Sequence, residues 1–162
     1  LVTRIDRSLQ VEGFDLLDGS GDWTPELPAP GDLRRTDHRA AAPLPPVPEG
    51  VEHLIRPDAP ARLGIATPSG PVVLPARWSH DDRFAVSAAA LAQVRAELPG
   101  PGCATFDDSA SRRPDEKRGL MLRGHLDLVD VDGPRATVAI RTERITAWDG
   151  FSANTSHVEP AR

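Results

Sequence analysis

The chain has 162 residues, 19 basic and 24 acidic side chains for a formal net charge of −5, 17 prolines and a single cysteine. This length suits one domain, or a domain of about 100 residues with an arm, better than two full domains. The acidic balance excludes a global positive field for a phosphate backbone, and no apolar run approaches the roughly 20 residues of a membrane span, so neither nucleic acid nor a bilayer is an expected partner. Cys103 has no second thiol for a disulfide or a thiolate metal centre, and the N-terminus lacks the apolar segment of a secretory signal. A reducing, cytoplasmic setting is the expectation. Arginine greatly outnumbers lysine, whose one instance is Lys117, a bias that fits GC-rich bacterial coding sequence.

Nine of the 17 prolines fall between Pro25 and Pro60, which marks residues 1–50 as a Pro-rich, extended arm. Ile5, Leu9, Val11, Phe14, Leu16 and Leu17 predict one short strand or helix packed on the body, and the run APLPPVP at Ala42 to Pro48 favours polyproline geometry. Trp23 and Leu27, isolated in a polar stretch, are candidate docking anchors. Asp18, Ser20 and Asp22 have calcium-loop spacing, but Trp23 and Ala29 stand where such a loop needs glycine and glutamate, so a plain turn is expected.

From Val51 the pattern changes to short strands. Leu63 and Ile65 alternate with Gly64 and Ala66, TPSG at Thr67 to Gly70 turns the chain, and a second strand runs from Val72 to Trp78. On it Val72, Leu74, Ala76 and Trp78 share one face and Val73, Pro75, Arg77 and Ser79 the other. Pro75 inside a strand predicts an edge or a bulge there, with Arg77 beside the opening. SHDD at Ser79 to Asp82 makes the next turn before Phe84 and Val86. Ser87 is a suitable N-cap for AAALAQVRAEL, where Leu91, Val94 and Leu98 recur at helical spacing until Pro99-Gly100. Ala104 to Asp107 is a short strand. Gly119 to Val131 is a long half-buried one, with Leu120, Leu122, Leu126 and Leu128 inward, Met121, Arg123, His125 and Asp127 outward, and Gly124 as a bending point. VDGP turns the chain into a last strand with Ala136, Val138 and Ile140 inward. Residues 51–150 thus carry six strands and one helix, residues 151–162 a tail. Tight turns imply antiparallel pairing, and six such strands are most economically closed into a barrel without exposed edges.

The segments RLGIATPSGPVVLPARW (Arg62 to Trp78), RFAVSAAALAQVRAELPG (Arg83 to Gly100), KRGLMLRGHLDLVD (Lys117 to Asp130) and ATVAIRTERITAWDG (Ala136 to Gly150) together resemble the pyridoxamine 5′-phosphate oxidase-like family of flavin-binding split barrels. The resemblance covers about Val51 to Gly150 and rests on the order and spacing of four segments, the ending IRTERITAW above all. It implies a six-stranded antiparallel split β-barrel, a homodimer with flavin mononucleotide (FMN) or a deazaflavin between the subunits, and an oxidoreductase that moves hydride to or from a small molecule. The phosphate contacts of the family correspond to Arg77 and Ser87, with the adjoining Trp78 and Ser79. The basic residue expected early in the following helix is missing, since SAAALAQVR has none before Arg95. Lys117 and Arg118 are further candidates, reaching the phosphate or the pyrimidine edge across the dimer cleft.

Helix N-termini present free N–H groups to anions, so Ser87 serves as a cap under either assignment. Hydride transfer asks little of side chains beyond position, electrostatics and exclusion of water, and the lack of a catalytic dyad is no argument against it. His80, Asp81 and Asp82 read as a turn rather than a metal site, and Cys103 as a small buried hydrophobe. Two alternatives stay open. One is a barrel without a cofactor that acts as an accessory or interaction module, motivated by the missing helix cation. The other is a haem-binding barrel, for which His38, His53, His80, His125 and His157 are candidate ligands with no spacing to choose among them.

Overall fold

A computed structural model describes residues 8–12, 14–20, 46–68, 70–79, 82–94, 97–108 and 113–158. Strands β1 (Ser8–Glu12) and β2 (Asp15–Ser20) form an antiparallel hairpin. The first part of the predicted extended arm is therefore two strands rather than one element, and Asp18 and Ser20 lie in β2 instead of a turn. Asp22, Trp23, Leu27 and Ala29 lie outside the described residues, as does most of the proline-rich run. The guanidinium of Arg135 sits 5.5 Å from the centroid of Phe14, which ties the hairpin tip to the body.

The body is a single sheet: β3 (Pro60–Ile65), β4 (Val72–Trp78), β5 (Arg83–Ser87), β6 (Gly100–Asp107), β7 (Arg118–Asp132), β8 (Arg135–Asp149) and β9 (Ser152–His157), with one short helix, α1 (Ala88–Gln93), after β5. All pairings are antiparallel and run β5-β4-β3-β6-β7-β8-β9, while β5 also pairs with β8. That last pairing closes six strands into a barrel and leaves β9 outside it. The edge of β8 that faces away from β7 is shared: residues 135–139 take β5 and residues 144–149 take β9. The two partners part company along β8 between Ile140, whose N–H donates to the Asp82 carbonyl at 2.9 Å, and Glu143, whose carbonyl accepts from the Val158 N–H at 2.8 Å.

Alternation decides which residues fill the interior. On β4, Leu74, Ala76 and Trp78 are buried while Val73, Pro75 and Arg77 are exposed. Leu120, Leu122, Leu126 and Leu128 of β7 and Ala136, Val138, Ile140 and Ile145 of β8 point into the same core. At one level the core is aromatic, with Trp78 packed edge-on to Phe84 and Phe106 at centroid distances of 5.0 and 5.8 Å. Helix α1 adds Ala88, Ala90, Leu91 and Val94.

Of the three in-strand prolines, Pro60 opens β3, while Pro75 and Pro101 sit where their strands have one partner. Pro75 pairs with Arg62 of β3, whereas pairing with β5 begins only at Ala76. Pro101 pairs with His125 of β7, whereas pairing with β3 begins only at Gly102. The missing N–H of proline thus costs no ladder bond on a second side. β7 and β8 meet through the two-residue turn Gly133-Pro134, with φ of +54° at Gly133. Proline cannot take a positive φ, so the turn belongs to the type II′ class that matches strand twist.

Two boundaries differ from the sequence-based expectation. The helix was expected to reach Leu98 but ends at Gln93, because the backbone N–H of Glu97 donates instead to the Ala66 carbonyl at 3.2 Å. Leu91 and Val94 still enter the core, so the helical spacing marked the right side chains. The tail expected after Gly150 contains β9, whose residues are all exposed. Ser-Ala-Asn-Thr-Ser-His carries no apolar alternation, and the strand exists because Gly150, at φ +58°, turns it back onto β8.

Candidate functional site

The outer face of β4, β5 and β8 gathers three of the six candidate residues, Arg77, Ser79 and Ser87. Arg77 pairs in register with Ala85, and Ala85 with Thr137. Arg83 and Ser87 flank Ala85 on the same face, opposite Ala139 and Arg135. Arg77 and Arg83 are therefore diagonal neighbours over a floor of two alanines, within mutual reach of long side chains. Arg77 Nη1 donates to the Asp58 carbonyl at 3.2 Å and the side chain is otherwise exposed. Arg83 is half-buried, and its Nε is buried with no hydrogen-bond partner. Ser79, also half-buried, lies across from Arg83, its backbone N–H donating to the Arg83 carbonyl at 2.9 Å. Sequence reasoning passed over Arg83. Its alternation with Phe84 and Val86 gave the face, but only the β4–β5 register puts it beside Arg77.

The other candidates are placed differently. Trp78 turns inward and is 5% exposed, as part of the aromatic core. Ser87 is 2% exposed and its Oγ accepts from the Ala90 N–H at 3.2 Å, which makes it the N-cap of α1. Removing that cap costs about 1 kcal/mol. Ser87→Ala is accordingly expected to lower the urea midpoint by that equivalent; an unchanged midpoint would contradict the cap. Helix α1 carries no cation in its sequence Ala-Ala-Ala-Leu-Ala-Gln. Lys117 and Arg118 are exposed at the start of β7, three strands round the barrel from β4 by way of β3 and β6. Arg118 Nε is engaged by Asp149 at 3.1 Å. Within one chain these two residues do not join Arg77.

Of the histidines, His38 and His80 lie outside the described residues, as does Asp81. Asp82 is buried in a left-handed turn with φ +59°. His125 Nδ1 lies 3.1 Å from Glu143 Oε1, and among the described residues no group of three His, Cys, Asp or Glu could hold a metal. Cys103 is a free, partly exposed thiol on the outer face of β6 rather than a fully buried one. No helix among the described residues is long and apolar enough to cross a membrane.

No protein-family model matches the chain, and no curated protein does. Among solved structures, one that is 16% identical aligns over 65% of this chain and 88% of its own with a TM-score of 0.52, which shows a shared fold. Another, a Clostridium acetobutylicum protein described as related to general stress protein 26 of B. subtilis and as of the pyridoxinephosphate oxidase family, is 13% identical. It aligns over 61% of this chain and 85% of its own at a TM-score of 0.45.

Proposed function

We propose that this barrel binds FMN or a deazaflavin and acts as an oxidoreductase on a small molecule. The observation that carries the proposal is the Arg77–Arg83 pair on the outer face, with the Arg83 Nε buried and unpartnered. A phosphate monoester supplies two or more anionic oxygens, and a buried guanidinium N–H without an acceptor is costly until one arrives. These residues fit such a group. Arg77 and Arg83 would hold the phosphate, with the Ser79 hydroxyl beside them. The small Ala85 and Ala139 floor would let it approach the sheet.

When bound, the flavin ring supplies hydride chemistry. The residues of this chain fix its position and keep water from the outer face of β5, β8 and β7, where Ala85, Ala139 and Asp127 respectively are already buried. Lys117 and Arg118, three strands away, would reach the cofactor only from a second copy of the chain, so the proposal includes a homodimer.

The test is a visible spectrum of the purified protein followed by titration with FMN and with a deazaflavin. Wild type is expected to take up one of them. Arg77→Ala and Arg83→Ala are each expected to weaken uptake by about tenfold to a hundredfold, the equivalent of one charge-assisted hydrogen bond. Uptake of neither cofactor would sink the proposal, and unchanged affinity in both variants would remove the site assignment. A second reading, a cofactor-free accessory barrel, is favoured by one observation: the α1 start offers a buried, already engaged serine and no cation. Uptake of neither cofactor is the result that this reading expects.

A further inference from the structure

The outer face of β7, β8 and β9 carries a feature that the cofactor proposal does not use. Arg123 pairs in direct register with Arg144, and Arg144 with His157. All three are exposed. Directly opposed side chains on a sheet have Cβ atoms about 4.5–5.5 Å apart, and like charges so placed destabilise the pairing.

The arrangement follows from the bulge in this hairpin. Pairing shifts between Arg123 and Gly124, so that Arg123 meets Arg144 while Gly124 meets Thr142, leaving Glu143 as the extra residue. Ile145 and the Thr142 hydroxyl are buried. Glu143 and Arg144, although consecutive, both reach the outer face. Glu143 contacts His125 there and Arg144 lines up with Arg123.

The carboxylates on this side of the barrel contact other groups instead of the pair. Asp107 is engaged by Arg62 at 2.6 Å, Asp149 by Arg118 at 3.1 Å, Glu143 by His125 at 3.1 Å and Asp127 by Arg141 at 3.6 Å. Among the described residues no carboxylate pairs with Arg123 or Arg144. Arg123 Nε instead donates to the thioether of Met121 at 3.0 Å, a weak acceptor that guanidinium groups use for want of a better one. One step along the same face, the hydroxyls of Thr146 and Thr155 are hydrogen-bonded to each other at 2.9 Å, which leaves one O–H of the pair to donate elsewhere.

We infer that the Arg123–Arg144–His157 row is a binding site for an oxyanion: the phosphate monoester or carboxylate of a small molecule, bridged by two guanidinium forks. The inference is independent of the cofactor proposal, whose arginines lie on β4 and β5.

The test is a titration of the full-length protein in low-salt buffer with inorganic phosphate and, separately, with malonate, following backbone amide and arginine Nε–H resonances. Shifts are expected at Arg123, Arg144 and His157. Arg144→Gln and Arg123→Gln should each weaken the response about tenfold, a change worth about 1.4 kcal/mol. The stronger of the two anions identifies phosphate or carboxylate as the group recognised. Amides of Arg77 and Ala85 report the other face in the same spectra, so failure at one site is distinguishable from failure at the other. An absent response at Arg123 and Arg144, or an unchanged binding curve in both variants, would overturn the inference. In anion-free buffer Arg144→Gln should melt no lower than wild type, because it relieves a like-charge contact; a lower melting temperature would make the arginine structural and overturn it equally.

Discussion

Phe84→Ala is expected to lower stability by about 3–5 kcal/mol, within the range for emptying a fully buried aromatic site. Phe84 has no exposed surface, pairs in register with Trp78 on one side and Val138 on the other, and packs against the rings of Trp78 and Phe106 at 5.0 and 5.9 Å. The strands around it are bonded on both edges at this level, so the cavity cannot collapse by moving one of them. Since a domain of this kind is stable by about 5–15 kcal/mol in total, the variant is expected to unfold at far lower urea, or already without it. Phe151→Ser is the control. Phe151 is 88% exposed in the β8–β9 turn, and its replacement should change stability by no more than about 0.5 kcal/mol. Equal urea midpoints for the two variants would refute the core assignment.

Gly124→Ala is expected to cost about 3 kcal/mol, the upper end of the range for overpacking. A Cβ at this position would collide with the carbonyl group of Arg141 and come within 3.2 Å of the Glu143 nitrogen. These are backbone atoms on the partner strand of the bulge, and no rotamer change removes them. The hairpin would have to lose the bulge or open at its middle. Gly133→Ala separates close approach from turn geometry: nothing lies within 4 Å of its Cβ position, and only the positive φ is penalised, by about 1–2 kcal/mol. Urea midpoints for the two variants in that order are the expected result, and the reverse order would show that the bulge tolerates a side chain.

How far the sequence revealed all this depends on which interactions made each element. β4 and β7 were legible because one face of each lies against the core, so Leu74, Ala76 and Trp78, and the leucines of β7, had to alternate. Closure was legible as an economy of edges, although the pairing of β5 with β8 is a contact between distant segments that no local pattern announces. β9 was not legible, since neither of its faces is buried. The C-terminal limit of α1 was missed because a tertiary hydrogen bond from Glu97 to Ala66 overrode local spacing. The same division holds for the candidate site. Arg77 was placed on its face by alternation, and Ser87 was recognised as a cap from its position before a helix. Arg83 needed the register between strands, and the Arg123–Arg144 apposition needed a bulge that shifts β8 by one residue. Gly124 was the single local sign of that bulge.

The shared edge of β8 also bears on how the molecule comes apart. β5 reaches β8 across roughly fifty residues, so forming that seam carries the entropy of a large loop that no neighbouring contact repays in advance. The β7–β8 hairpin closes through two residues and needs no such investment. The seam therefore holds only while the rest of the ring holds. The six strands form one cooperative unit, whereas β9, attached along a single edge with its side chains in solvent, is free to fray without it.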